Sequence, residues 1–209
     1  MNKPQNAEEH IADLRAKLQL NPECGTTRYN LGVALIGQKN YHEAEKELRA
    51  AIANSPSIAE AYVLLGGICL QRGDLDGCLA YNQQAVNARA AFAIGFGNIG
   101  FVYLQKGEPD EAIVALNKAI AYNPKFIQAQ ASLANAYLMK GDIDQSIQCS
   151  QKALEIDPNF AIAHHNLALA YFEKNEFQKA IEHSDQSVQL GFEPPQLFRD
   201  ELNAHRKEL

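Results

Sequence analysis

The side chains best suited to chemistry in this sequence are six histidines and four cysteines. His164 and His165 are adjacent, so on a helix their rings point about 100° apart and cannot grip one ion as an i, i+4 pair can. Cys24, Cys69, Cys78 and Cys149 make no CxxC pair and no zinc-ligand spacing. The stretch Gly95-Phe96-Gly97-Asn98-Ile99-Gly100 spells GxGxxG, but a dinucleotide site needs those glycines between a strand and a helix, and the residues before them read as helix. No Ser, His and acid grouping, phosphate loop or carboxylate pair stands out from a helical surface pattern. The expectation is therefore no enzyme, with no catalytic residues, no cofactor and no metal.

Charge and composition narrow the partners. The 19 Lys and Arg are outnumbered by 25 Asp and Glu, giving a net charge of −6 with no basic block, which argues against a phosphate backbone. The 46 % apolar share against 21 % charged is that of a folded chain. The first ten residues are polar, unlike a signal peptide, and no run of about eighteen apolar residues could span a bilayer. A cytoplasmic protein without membrane insertion is expected.

The elements that must position any site repeat with a period of 34. Prolines stand at 22, 56, 124 and 158, with Ala90 at the skipped position. The same step gives Leu31, Leu65, Ile99, Leu133 and Leu167, then Gly32, Gly66, Gly100, Ala134 and Ala168. Ala44, Cys78, Ala112, Ser146 and Ala180 follow, and Ala51, Ala85, Ala119, Ala153 and Ser187 after them. Within a unit the apolar spacing is helical twice over. Phe96, Ile99, Gly100 and Tyr103 form one stripe, Ala112, Ile113, Leu116, Ala119 and Ile120 a second, and Gly107 separates them. Gly73, Gly107 and Gly141, with Asn175, suit a left-handed helix end. The small Gly32 and Ala44 columns let two helices approach closely. One hairpin cannot bury such stripes alone, whereas stacked hairpins can.

With these columns the sequence resembles the tetratricopeptide repeat (TPR) family over 25–58, 59–92, 93–126, 127–160 and 161–194. The resemblance implies an all-α, right-handed α-solenoid of five helix-turn-helix repeats whose first helices line a concave groove that holds a segment of another protein. Residues 1–24 then supply the second helix of an incomplete leading repeat, with Ile11, Leu14 and Leu18 covering the first hairpin. Residues 195–209 form a capping helix with Leu197, Phe198 and Leu202 inward and Arg199, Asp200, Arg206, Lys207 and Glu208 outward. The 59–92 repeat is irregular: Asn82 replaces a leucine, and the turn at 88–93 is expected to differ or to be a flexible joint.

The phase of the Leu31 column places Asn30, Leu64, Asn98, Ser132 and Asn166 in one groove row and Val33, Gly67, Phe101, Asn135 and Leu169 in the next. Flanking rows hold Tyr29, Val63, Gly97, Ala131 and His165, and Ile36, Leu70, Leu104, Leu138 and Phe172. Gly97 is expected to let a partner backbone come close. His164 is expected in the helix packing layer. Cys69 and Cys78 read as small apolar side chains, with a disulfide across their hairpin as the alternative. Relatives that hold chaperone C-terminal tails use a groove Lys, Arg and Asn clamp. The matching positions here carry Tyr29, Val63, Gly97, Ala131 and His165, so that clamp is not expected. The peptide-binding groove is assigned to Tyr29, Asn30, Val33, Leu64, Gly67, Gly97, Asn98, Phe101, Ser132, Asn135, His165, Asn166, Leu169 and Phe172. Asn30, Asn98 and Asn166 would grip main chain, or else are only family background. The expected function is an adaptor for a largely uncharged, partly apolar peptide or helix. The alternative is a self-assembling scaffold, with the groove or the solenoid ends as the contact of a homo-oligomer.

Overall fold

A computed structural model describes residues 6–206, and all regular structure among them is helical. The helices are α1 (Ala7–Leu20), α2 (Gly25–Gly37), α3 (Tyr41–Asn54), α4 (Ala59–Gln71), α5 (Leu75–Ala88), α6 (Ala93–Lys106), α7 (Pro109–Tyr122), α8 (Ile127–Lys140), α9 (Ile143–Ile156), α10 (Ala161–Glu173), α11 (Phe177–Gln189) and α12 (Gln196–Arg206). They form an α-solenoid of helix hairpins. The chain divides into two compact units, Met1–Asn98 and Ile99–Leu209, so the division falls within α6. Lys207 and Glu208, expected on the outer face of the cap, lie outside the described residues, as do residues 1–5.

The turn inside each hairpin is closed by one local device. Lys39, Gly73, Gly107, Gly141 and Asn175 have φ of 58°, 75°, 75°, 82° and 60°, five left-handed residues exactly one period apart. Behind each, the next amide reaches back over the helix end. The N–H of Asn40, Asp74, Glu108, Asp142 and Glu176 donates to the carbonyl of Leu35, Cys69, Tyr103, Tyr137 and Tyr171, at 2.9, 3.0, 2.9, 2.9 and 2.9 Å. These are Schellman closures, which satisfy carbonyls that a helix end would otherwise leave open. Gly191, at φ 88°, makes a sixth after α11, with the Phe192 N–H on the Ser187 carbonyl at 3.0 Å. Helix starts are capped less uniformly: Asn6, Asn40 and Asp74 each accept an amide of their own first turn, while α7 opens on Pro109.

Inside the hairpins the helices come close enough to exclude a methyl group. A Cβ added to Gly32 would lie 2.6 Å from Leu48 Cγ, one on Gly66 2.6 Å from Asn82 Nδ2, and one on Gly100 2.5 Å from Leu116 Cγ. The partner stands sixteen residues on in each case. In the two later hairpins that offset pairs Ala134 with Ser150 and Ala168 with Ser184, all buried. A larger residue on one helix is thus matched by a smaller one opposite.

In the first unit, Ile11 and Leu14 of α1 join Leu31, Leu35, Ala44, Leu48, Ala61, Leu65 and Ile68 in one core, with Leu18 packed at its edge. Ala59, Tyr62, Ala85 and Phe92 form a further cluster. Asn82 is fully buried, its Nδ2 donating to the Cys78 carbonyl at 2.9 Å and its Oδ1 accepting from Asn98 Nδ2 at 2.9 Å. The turn at 88–93 is no longer than its counterparts, since α5 ends and α6 begins in phase with the other helices. Its departure is in the backbone: Ala91 takes φ 61°. In the second unit, Ala168, Ala180 and Ile181 pack with Phe198 and Leu202 of the cap. Leu197, expected inward with them, is instead 72 % exposed, because α12 turns only its Phe198 and Leu202 side to the core.

Two outcomes test this packing. Gly32→Ala should cost about 1–3 kcal/mol by overpacking against Leu48. Adding Leu48→Ser should recover part of that loss, so a double-mutant cycle from urea unfolding gives a clearly non-additive pair, and strict additivity would contradict the close approach. Ala91→Gly should stabilise by up to about 1 kcal/mol, because the side chain's left-handed penalty is removed while glycine gains freedom in the unfolded chain. A fall in the urea midpoint would contradict that backbone assignment.

Candidate functional site

The second unit contains a cavity of about 420 Å³ built mainly from the first helices of its hairpins. From α6 come Phe101, Leu104 and Gln105, and from α8 Gln128, Ala131, Ser132 and Asn135. Ile162, His165, Asn166 and Leu169 come from α10. Phe160, just before α10, and Phe192 complete the wall. The Schellman turn at Gly191 sets Phe192, whose ring lies 4.6 Å from that of His165. No Lys, Arg, Asp or Glu is among these lining residues. Phe101 is 39 % and Ile162 43 % exposed, so apolar surface is open at the mouth.

Of the residues assigned from the sequence, Phe101, Ser132, Asn135, His165, Asn166 and Leu169 come together here. Phe172 does not line the cavity; its ring packs against Phe177, Phe198 and His205. In the first unit, Asn30, Val33 and Gly67 are exposed, whereas Tyr29 and Leu64 are half-buried against the core. Gly97 is buried, so it offers no open space to a partner backbone. Asn98 is half-buried and Asn166 buried, and both amides are already in use: Asn98 Nδ2 bonds to Asn82, and Asn166 Nδ2 donates to the Ala131 carbonyl at 2.9 Å. A three-asparagine ladder free to grip main chain is therefore not what these side chains make. The exposed asparagine in the cavity is Asn135, with Gln105 and Gln128 as further exposed amides.

His165 is buried, and burial lowers its pKa to about 4, so the ring is neutral near pH 7. Its neighbour His164 turns the other way, into its own hairpin, with Nδ1 3.0 Å from His183 Nδ1 and Nε2 3.2 Å from the Pro158 carbonyl. The carbonyl can only accept, which puts the His164 proton on Nε2 and leaves His183 Nδ1–H to donate to His164 Nδ1. His183 also stacks on Tyr171, and burial, with the nearby His164 imidazole, lowers its pKa. A signal that could have found this pair is its spacing of 19, the hairpin offset of sixteen plus one residue triplet along a helix face.

Cys69 and Cys78 are buried free thiols, and burial pushes Cys78 up to about 11. Among the described residues no three His, Cys, Asp or Glu side chains converge to hold a metal, and no helix is long and apolar enough to cross a membrane. A second hollow, of about 570 Å³, lies in the first unit around Ile52, Tyr62 and Tyr81. Its charged member, Arg49, is already paired with Glu45 at 2.8 Å. Glu60, on α4 of the same unit, is likewise held by Arg89 at 2.5 and 2.8 Å.

Models described as TPR repeat match residues 100–141 and 134–175, and others described as tetratricopeptide repeat match 1–56, 29–94 and 161–190. The chain belongs to the tetratricopeptide repeat family. No curated protein matches it. Among solved structures, this TPR chain is similar to YrrB, described as a TPR protein with an unusual peptide-binding site, at 21 % identity and a TM-score of 0.72 over 94 % of this chain and 98 % of that one. MamA is similar at 22 % identity and a TM-score of 0.70, over 81 % and 92 % of the two chains. PilF of Pseudomonas aeruginosa gives 19 % and 0.73, over 83 % and 79 %. At such identities the likeness establishes the fold. As a TPR protein, this chain is a protein-interaction scaffold.

The two lowered histidines set a pH dependence. In the unfolded chain they take up protons near pH 6.5, but the folded chain protonates His165 only near pH 4. Their contribution to stability is present above pH 6.5 and is lost as the pH falls towards 4. Between about pH 7.5 and 4.5 the wild type should lose about 2 kcal/mol more than His165→Phe, read from urea unfolding. Equal losses in the two proteins would show that the ring is not buried in its neutral form.

Proposed function

We propose that this protein is a non-enzymatic adaptor that holds a largely uncharged, partly apolar segment of a partner protein, with the cavity of the second unit as its seat. The observation that carries this reading is the cavity wall: aromatic and aliphatic side chains interleaved with Gln105, Gln128, Ser132 and Asn135, without a formal charge. Such a wall accepts apolar side chains, while neutral amides can donate to a carbonyl and accept from an N–H of the same main chain. Acidic tails find no cation there, which disfavours capture of a C-terminal carboxylate by a clamp. The net charge of −6 likewise disfavours nucleic acid. The exposed Asn30, Val33 and Gly67 of the first unit are proposed as further contacts, and 25–58, 59–92, 93–126, 127–160 and 161–194 as the five repeats.

Phe101 and Asn135 are open to solvent, so replacing either leaves the core intact. Peptides selected from a randomised display library on the wild type should be poor in charge. Phe101→Ala should weaken them by about tenfold or more and Asn135→Ala by less, with helicity unchanged in circular dichroism. Undiminished affinity in both variants would remove the cavity as the binding seat.

A further inference from the structure

His165 is only 9 % exposed, yet among the described residues it makes no hydrogen bond. Its ring is tilted against Phe192 and meets Phe198 edge-on at 5.8 Å, and Nδ1 is sealed in this apolar surround without a partner. His165 lines the cavity, and with Nδ1 enclosed Nε2 is the ring nitrogen left to serve a guest there.

Either tautomer leaves one demand there. A protonated Nε2 needs an acceptor and a bare one needs a donor. A backbone N–H or C=O answers one of these cases, whereas a hydroxyl answers both. In the cavity wall, Phe101, Phe160 and Phe192 present aromatic surface, which favours an aromatic guest in offset or edge-on contact. The cavity of about 420 Å³ has room for such a ring, and the absence of formal charge from its wall disfavours Lys, Arg, Asp and Glu as anchors.

We propose, building on the adaptor reading, that the cavity takes a tyrosine side chain from an extended partner segment, with its ring among Phe101, Phe160 and Phe192 and its hydroxyl on Nε2 of His165. Gln128 and Asn135 then remain for the main chain on either side of the anchor. His165 sets specificity, because a tyrosine exchanged for phenylalanine would leave the imidazole unpaired under a bound ring.

The test uses four displayed peptide libraries that differ only in a fixed central residue, Tyr, Phe, Leu or Lys, with all other positions randomised. Selected peptides are then measured with their central residue exchanged. The wild type should enrich the Tyr library and bind Tyr peptides about tenfold more tightly than their Phe versions. His165→Phe should erase that preference while keeping Phe peptides within about twofold, and His165→Gln, which can place a polar atom near the former Nε2, should restore part of it. Equal binding of Tyr and Phe peptides by the wild type would overturn the tyrosine anchor and leave the adaptor reading standing. Preferential enrichment of Leu or Lys would also overturn it. Failure of all four libraries would overturn both readings. The Tyr to Phe comparison on the wild type decides the matter even if a His165 variant fails to fold.

Discussion

Everything in this molecule rests on how near the two helices of a hairpin can come. The limit is set by side chains sixteen residues apart, and the chain meets it in two ways: glycine beneath a large partner, as at Gly32 with Leu48 and Gly100 with Leu116, or alanine opposite serine, as the register places Ala134 with Ser150 and Ala168 with Ser184. Close packing to interior density leaves no slack for a methyl on the wrong side. Because each first helix is held against its second at this distance, its opposite face is presented at a fixed angle. The face proposed to bind a partner is a by-product of that constraint.

Serine in this position carries a cost of its own. Ser150 Oγ, and Ser146 Oγ one turn earlier on α9, are buried without a partner among the described residues, whereas Ser187 Oγ on α11 reaches the Ser184 carbonyl at 2.8 Å. A small residue was needed for the helices to meet, and a hydroxyl was admitted as part of that fit. The buried Asn82 shows the same bargain struck with more polarity, since it fills the leucine column above Gly66 while engaging the Cys78 carbonyl and Asn98.

Much of this was legible from period alone. A 34-residue step named the packing glycines, the left-handed helix ends at Gly73, Gly107, Gly141 and Asn175, and the covering role of Ile11 and Leu14, because each is a property of one column. Lys39 escaped notice in the left-handed column, since lysine has no preference for that conformation. The cavity was only half legible. Phe101, Ser132, Asn135, His165, Asn166 and Leu169 follow from helical phase, but Phe160 sits before a helix and Phe192 in a turn after one, where phase says nothing about direction. Gly97 and Asn166 show the opposite failure: phase gave a direction, but not the neighbouring groups that bury one and bond the other.

The six Schellman turns have a consequence for how the chain comes into being. Each is sealed by amides and carbonyls no more than five residues apart, and the side-chain bond that ties α10 to α8, from Asn166 to Ala131, spans only 35 positions. Nothing in such an arrangement has to wait for a distant segment to be synthesised. A hairpin can close soon after its own residues leave the ribosome and then serve as the template on which the next one condenses.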